Sequence, residues 1–387
     1  MKHKLIGLIG LIGLIGPICH LHAQDSNNVF LHVDGSTFFI DNEYFGDRIS
    51  GYTLPGFVLQ PKVEWKLSWD VTLSGGMHWL YYWGARDYPA TASYGAYPLY
   101  DSVSHPMHVL PWLQASIKFN TNLKLYLGCL DPDGHDLPMP LYNSELASGG
   151  DPETGFQLKF NSNWLTMDIW TDWREYIWDR SPVPERFTAG ASGCLRLNYK
   201  DWHFYLPLHF VVQHEGGQNM SVSHNINNNF NAAAGLGLFS LIGDNFYYDI
   251  SCRAFWYHQH GNPAVPFNTG WGFYPEVKTY LNRWILAASY WHGKDFVPLM
   301  GSWHFSNLSA NTAGLTFDRT RVITLQASWT WIPVLWPKNC HFSVYGTLYH
   351  YLPSTGTFAD GTTKNYGHRN QFAVGAVILF YPTVKLH

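Results

Sequence analysis

The sequence has little charge. Lys, Arg, Asp and Glu make up 13% of its 387 residues, about half the share of roughly 25% in ordinary globular proteins. The formal net charge of -4 gives no basic field for a nucleic acid partner. Aromatic residues reach 17%, which excludes a disordered chain, because disorder needs few aromatic and many charged residues. A cytosolic protein would instead hide its tryptophans and cover itself with charge.

Long apolar runs are also absent beyond the N-terminal segment, so no transmembrane helix is predicted. The positive residues Lys2 and Lys4 precede an apolar run at 5–16 and a cleavage motif that ends at residue 23. This pattern predicts a cleaved signal peptide at 1–23 and a mature domain at 24–387. A retained anchor is disfavoured, because the run is shorter than the roughly 20 residues that a span needs. An exported, charge-poor chain without such helices can cross a membrane only as a closed β-barrel.

Helical apolar stripes are missing, and apolar and polar residues alternate instead. In segment 321–331, Ile323, Leu325 and Ala327 share one face, and Thr324 lies on the other. The same alternation recurs in segments 156–161, 202–210, 246–256 and 372–380. A period of two is the signature of β-strands with two different faces.

The connections between these segments alternate strictly between short and long. Short polar turns lie near residues 68, 121, 162, 200, 244, 282 and 337. Longer Gly-, Pro- and Asn-rich loops lie at about 84–106, 131–154, 174–186, 214–228, 258–269, 292–318 and 353–368. With an N-terminal strand near 28–40 and a loop near 41–56, the pattern predicts an all-β, single-chain, antiparallel up-and-down transmembrane β-barrel. It has about 16 strands, with short periplasmic turns and long outer loops.

Tryptophans fall at the predicted strand ends. Those at the turn ends are Trp65, Trp202, Trp329 and Trp331, and those at the loop ends are Trp79, Trp173 and Trp256. Amphipathic indole rings suit the two interfaces of a membrane. A soluble β-sandwich with buried tryptophans is the alternative, but a core gives no reason for tryptophans to cluster at strand ends.

Charged residues on the inward faces are the candidate functional residues. The predicted lumen-lining set is Lys62, Glu64, Lys159, Asp168, Arg196, Asp249, Arg253, Glu276 and Lys278. They either line a constriction that selects solutes or cross-link the wall and plug it. A barrel of 16 strands favours a water-filled lumen.

Catalytic and metal-binding signatures are lacking. The sequence contains no G-x-S-x-G and no H-E-x-x-H motif, and the acidic stretch 131–136 lacks the spacing of a calcium loop. Loop histidines such as His135 and His304 are expected to face solvent. We therefore expect no cofactor, no metal and no enzymatic activity. Four free thiols are expected, because the cysteines lie on separate strands. The strand phase places Cys129, Cys252 and Cys340 towards lipid and Cys194 towards the inside.

Three stretches carry a family resemblance: residues 42–56, 135–145 and 151–157. With the signal peptide, they make the chain resemble uncharacterised outer-membrane β-barrels of Bacteroidota. The resemblance implies a porin-like barrel without an assigned activity. Such barrels often finish on a terminal aromatic residue, whereas here Phe380-Tyr381 is followed by six further residues.

The function predicted from the sequence is a porin-like channel in the outer membrane of a Gram-negative bacterium. Small hydrophilic solutes, including sugars, would diffuse through its charged, aromatic-lined lumen. The expected partners are outer-membrane lipid, the barrel-assembly machinery and the solute, and a homo-oligomer is left open. The alternatives are a non-conducting barrel for surface polysaccharide assembly or export, and a lipid-acting enzyme.

Overall fold

The computed structural model describes most of the chain after residue 27. The described residues are 28–84, 107–131, 134–145, 150–199, 202–217, 226–242, 246–263, 265–332 and 339–386. Their strands are β1 Asn28–Glu43, β2 Tyr52–Lys66, β3 Val71–Tyr82, β4 Met107–Lys118, β5 Leu123–Cys129, β6 Thr154–Asn161, β7 Leu165–Glu175, β8 Glu185–Tyr199, β9 Trp202–Gly216, β10 Asn227–Ile242, β11 Phe246–His260, β12 Thr269–Leu281, β13 Trp284–Lys294, β14 Thr316–Phe317, β15 Thr320–Trp331, β16 Cys340–Tyr351, β17 Ser354–Thr357, β18 Thr363–Tyr366, β19 Arg369–Phe380 and β20 Thr383–Lys385.

The strands form a closed antiparallel barrel. Each strand from β1 to β13 pairs with the next, and the series continues through β15, β16 and β19 before β19 returns to β1. This ring has 16 strands, which confirms the predicted fold class. Of the other four strands, β14, β17 and β18 form a small separate sheet, and β20 pairs with β1. In the part of the chain that the structure describes, no helix is long and apolar enough to span a bilayer.

The seam of the barrel uses both ends of the described chain. Strand β1 pairs with β19 from Gly35 to Glu43, which leaves the first residues of β1 beyond the reach of β19. The short strand β20 covers that stretch by pairing with Phe30–His32. The residues after the last aromatic therefore extend the closing ladder.

Short and long connections lie at opposite ends of the barrel, here termed the turn end and the loop end. The first loop is shorter than the expected 41–56, because β1 runs to Glu43 and β2 begins at Tyr52. Asp41 and Thr53 are paired in the β1–β2 ladder, and the Thr53 hydroxyl donates to the Asp41 carboxylate at 2.6 Å. The loop predicted at 84–106 and the turns near 200, 244 and 337 fall mainly or wholly outside the described residues.

The two faces of the wall differ as the alternation predicts. Three tryptophans at the turn end (Trp65, Trp202 and Trp331) and three at the loop end (Trp79, Trp173 and Trp256) each have more than a third of their surface exposed. They share the outer face with exposed aliphatic residues, which together form an apolar exterior. Trp329 is half-buried beside Trp284, with ring centroids 6.5 Å apart.

Large aromatic rings lie flat across glycines on the inner face. Trp170 of β7 pairs in register with Gly190 of β8, and a Cβ at Gly190 would lie 2.2 Å from the Trp170 ring. Tyr345 covers Gly375 in the same way. Glycine is required at these positions because a neighbouring ring occupies the space of its side chain.

The four cysteines of the described residues are free thiols. The expectation of lipid contact is wrong for Cys340, which is 8% exposed, and for Cys129, which is 2% exposed. Gly128, with φ of 90°, breaks the pleat just before it. A left-handed residue inside a strand turns the following side chain away from the face that strict alternation assigns to it.

Candidate functional site

Two loops fold back inside the barrel, and residues 134–145 and 295–315 are together termed the plug. Leu141, Phe296 and Phe305 from these loops are fully buried in one cluster with Phe255 and Trp291, which are inward residues of β11 and β13. Backbone hydrogen bonds link the two loops, from Asn143 to Met300 and from Ser302 to Met139. The plug thus fills part of the lumen at the loop end.

Inward amide side chains anchor the plug backbone to the wall. The Asn231 side chain of β10 donates to the Val297 carbonyl at 3.0 Å and accepts from the Leu299 N–H at 2.9 Å. The Gln213 side chain of β9 donates to the Leu299 carbonyl at 3.2 Å. These amides satisfy backbone groups that would otherwise be buried without a partner.

His135 holds the first plug loop through two carboxylates. Its Nδ1 lies 2.9 Å from Asp168 Oδ2 of β7, and its Nε2 lies 2.6 Å from Glu153 Oε2. The imidazole stacks on Trp170 with ring centroids 3.7 Å apart. Burial lowers the pKa of His135, but the hydrogen bonds to Asp168 and Glu153 outweigh it and raise that pKa to about 9. The clamp is therefore an imidazolium between two acidic groups.

His304 occupies a different environment in the second plug loop. Its ring stacks on Tyr349 at 3.6 Å, and its Nδ1 lies 2.6 Å from the Tyr351 hydroxyl. Burial lowers the pKa of His304 to about 3, so the ring is neutral. The expectation of solvent-facing loop histidines is wrong for His135 and His304, which are 2% and 1% exposed. The aromatic neighbours of His304 in the sequence were a signal of burial.

Arg48 joins the first loop to strands β14, β15 and β17. Its guanidinium lies 3.3 Å above the Phe317 ring and donates to Thr320 Oγ1 at 3.1 Å and to Ser354 Oγ at 2.9 Å. Burial lowers the pKa of Arg48 to about 10, which leaves it cationic at neutral pH. A planar guanidinium suits stacking and several simultaneous hydrogen bonds, which a lysine could not reproduce.

Two of the predicted lumen-lining residues lie together on β2. Lys62 is buried and contacts Asp34 at 2.6 Å, with its ammonium 4.3 Å from the Trp112 ring centroid. Glu64 lies 3.5 Å from His32. These pairs connect β1 to β2, which agrees with a wall cross-link.

Asp168 contacts the first plug loop, and Lys159 contacts the residues that lead into it. Lys159 contacts Asp131 at 2.9 Å, and Asp168 is the His135 partner described above. Asp168 also accepts from the Gln157 amide. Both charged residues therefore have protein partners rather than a free position along a channel.

The other five predicted residues gather near the turn end. Glu276 contacts Arg253 at 3.3 Å and Lys278 at 3.1 Å, and Asp249 accepts from the Tyr205 hydroxyl. Arg196 lies on the same side. Together with Asp136 of the plug, four of them border a cavity of about 480 Å³: Arg196, Asp249, Arg253 and Lys278. The nine predicted residues thus divide among several clusters.

A polar patch interrupts the apolar exterior at the loop end. Its members are His350, His368 and Asn370, here termed the wall patch. Asn370 follows the same alternation as Phe372 and Val374, the exposed apolar residues of its own strand. Among the described residues, no group of three His, Cys, Asp or Glu side chains is placed to hold a metal ion.

A directional hydrogen-bond chain runs through the wall patch. His350 Nδ1 lies 2.7 Å from Asn370 Oδ1, and His350 Nε2 lies 3.1 Å from His368 Nδ1. The amide oxygen only accepts, so the hydrogen of neutral His350 resides on Nδ1 and its Nε2 accepts from His368. His368 then presents the lone pair of Nε2 to the exterior. This is the arrangement of an oriented general base.

The family model of Lipid A 3'-O-deacylase-type proteins matches residues 21–387. The chain belongs to this family. Its name is that of an enzyme, so the expectation of no enzymatic activity is wrong. The resemblance to barrels without an assigned activity is corrected in the same way, whereas an origin in Bacteroidota stays a prediction. No curated protein matches the chain.

Several solved porin structures are similar to this family member. Pseudomonas aeruginosa OccK1 (OpdK) has 10% sequence identity and a TM-score of 0.49, with 92% of this chain and 99% of that chain covered. Pseudomonas aeruginosa OccK8 (OprE) has 15% identity, a TM-score of 0.48 and coverage of 93% and 98%. Acinetobacter baumannii OccAB4 has 10% identity, a TM-score of 0.48 and coverage of 93% and 99%. The barrel assignment depends on the strand pairing of this chain itself.

Proposed function

We propose that this protein is an outer-membrane enzyme that hydrolyses an acyl ester of a lipid A-class glycolipid. The family match over residues 21–387 is the observation that carries the proposal. The apolar exterior would hold the barrel in the membrane with its loop end outward, as the alternation of turns and loops predicts. An ester at headgroup level would then lie beside the wall patch.

The wall patch supplies a base for this reaction. His368 Nε2 takes a proton from water as that water attacks the ester carbonyl, and the imidazolium then gives a proton to the sugar alkoxide oxygen as the acyl C–O bond breaks. The products are a free fatty acid and a deacylated glycolipid. His350 and Asn370 position the His368 ring, since each hydrogen bond fixes the tautomer of the next group.

The test is fatty acid release from purified lipid A in detergent, measured by mass spectrometry. The variant His368→Gln should lower the rate by a factor of about 100 or more, the range expected for loss of a general base. His260→Gln is the matched control, because His260 is another exposed histidine at the loop end. Wild-type activity in His368→Gln would reject the assigned base, and no release by the wild type would reject the hydrolase.

A solute channel is the second candidate, as the charges around the cavity of about 480 Å³ favour it. The plug opposes free flow, so we expect low conductance in planar bilayers. Charge reversal at Lys159 or Lys278 should change the ion selectivity of whatever current remains. A silent wild-type barrel at all voltages would remove this candidate.

A further inference from the structure

A second and larger cavity lies below the plug. It has a volume of about 610 Å³ and extends from Ser302 and His304 to Ile285 and Leu379 near the turn end. This volume lies within the range of small-molecule sites, which is roughly 300–1,000 Å³. We call it the tyrosine cavity, because five tyrosine rings line it: Tyr44, Tyr52, Tyr142, Tyr345 and Tyr349.

Two polar atoms of residues that line the tyrosine cavity are buried without a protein partner. They are Nε2 of His304 and Oδ1 of Asn42, whose residues are 1% and 3% exposed. Such groups are rare in folded proteins, because they lose their bonds to water and gain none. Both atoms lie behind the accessible surface of the cavity, so a ligand would bond instead to the exposed hydroxyl and amide groups of the lining.

The remaining lining favours an uncharged ligand. Ser144, Ser302, Ser343, Thr347 and Gln326 add hydroxyl and amide groups. Glu145 already accepts from the Asn42 amide at 2.7 Å and from the Tyr52 hydroxyl. Lys278 is paired with Glu276. Glu145 of the plug and Lys278 of the wall, the two charged residues of the lining, thus already have partners in the protein.

We propose that the tyrosine cavity binds a saccharide of one or two units that enters from the turn end. A sugar ring has apolar C–H faces, which pack on aromatic rings, and a rim of hydroxyls, which bond to amides and hydroxyls. A quaternary ammonium ligand also suits a set of aromatic rings, so choline is included in the test as the competing ligand. This inference is independent of the proposed hydrolase, because the wall patch lies on the opposite face of the wall.

Saturation-transfer NMR on the full chain tests the proposal, in an oxyethylene detergent that carries no sugar. The probes are maltose, N,N'-diacetylchitobiose and choline. In Ala287→Phe a ring projects into the cavity that Ala287 lines, and affinity for the sugars should fall at least 10-fold. Ala288→Phe is the matched control, because Ala288 is exposed on the opposite face, and its affinity should equal that of the wild type.

Three results would overturn the proposal: no binding of either sugar to the wild type, equal binding by Ala287→Phe, or binding of choline alone. Gln326→Leu covers the case in which Ala287→Phe does not assemble, because it removes a lining amide at nearly constant size. Its sugar affinity should fall about 3-fold or more, and unchanged affinity would count against the site. His368→Gln should retain full sugar binding, which separates this test from that of the hydrolase.

Discussion

The state of one side chain, His135, decides how firmly the first plug loop is held. A folded-state pKa of about 9 exceeds the ordinary value of roughly 6.5, so the protonated clamp favours the folded form. Its contribution is complete below about pH 6.5 and is lost as the pH rises through about 9.

We therefore expect the thermal midpoint of the wild type to fall between pH 7 and pH 10. The variant His135→Gln should be less stable at pH 7 and should lose less on the same change of pH. Circular dichroism of the β-sheet is the readout, because the chain has 18 tryptophans and a fluorescence change could not be assigned to Trp170, on which His135 stacks. An equal pH response in both proteins would exclude the clamp as its source.

Gly190, which lies against the Trp170 ring, gives a second prediction for a single residue. Gly190→Ala would push the Trp170 ring away and should cost about 1–3 kcal/mol, the usual range for overpacking. Gly193→Ala on the same strand is the control, since its nearest contact would be an ordinary 3.6 Å to the Thr166 carbonyl. Equal unfolding midpoints for the two variants would show that the Trp170 ring can move at no cost.

At the scale of elements, the plug determines whether the lumen is open. Residues 297–306 contribute most of the buried apolar side chains of the second plug loop, including Val297, Leu299 and Trp303. Replacing this segment with a short Gly-Ser linker should raise single-barrel conductance well above that of the wild type. Shortening the exposed tip 359–361 by the same method should leave conductance unchanged. A barrel that stays closed without residues 297–306 would show that other segments block the lumen.

The elements also show which features the sequence can predict. Strand alternation and connection length are sufficient to predict the barrel, because a wall with lipid on one side imposes a period of two along each strand. The predicted first loop is too long, because the polar residues Asp41 and Thr53 are typical of a loop although they are paired in the β1–β2 ladder.

The candidate sites were harder to predict because they depend on loops that fold inward. Apolar residues between Val297 and Leu308 have no periodicity, and nothing in their spacing shows that they enter the lumen. His350 and His368 are 18 residues apart and meet through the pairing of β16 with β19. The sequence alternation identifies each inward charged residue, but it does not identify the partner of that residue. Lys159 of β6, for example, pairs with Asp131, which lies in a loop.

On the scale of the whole molecule, closure depends on the last strand and its extension. Deleting residues 382–387 should leave Phe30–His32 without the partner they have in β20, and the yield of heat-resistant barrel on gels should drop several-fold. Deletion of residue 387 alone serves as the control. Normal yield from the longer deletion would mean that β19 alone completes the ring.

The same seam has a consequence for biogenesis. Strand β1 leaves the ribosome first, yet the partners on its far edge, β19 and β20, are made last. Until those strands arrive, that edge offers unsatisfied amide and carbonyl groups to any other extended polypeptide. We therefore expect correct folding to need protection of the N-terminal edge until the whole chain has been made.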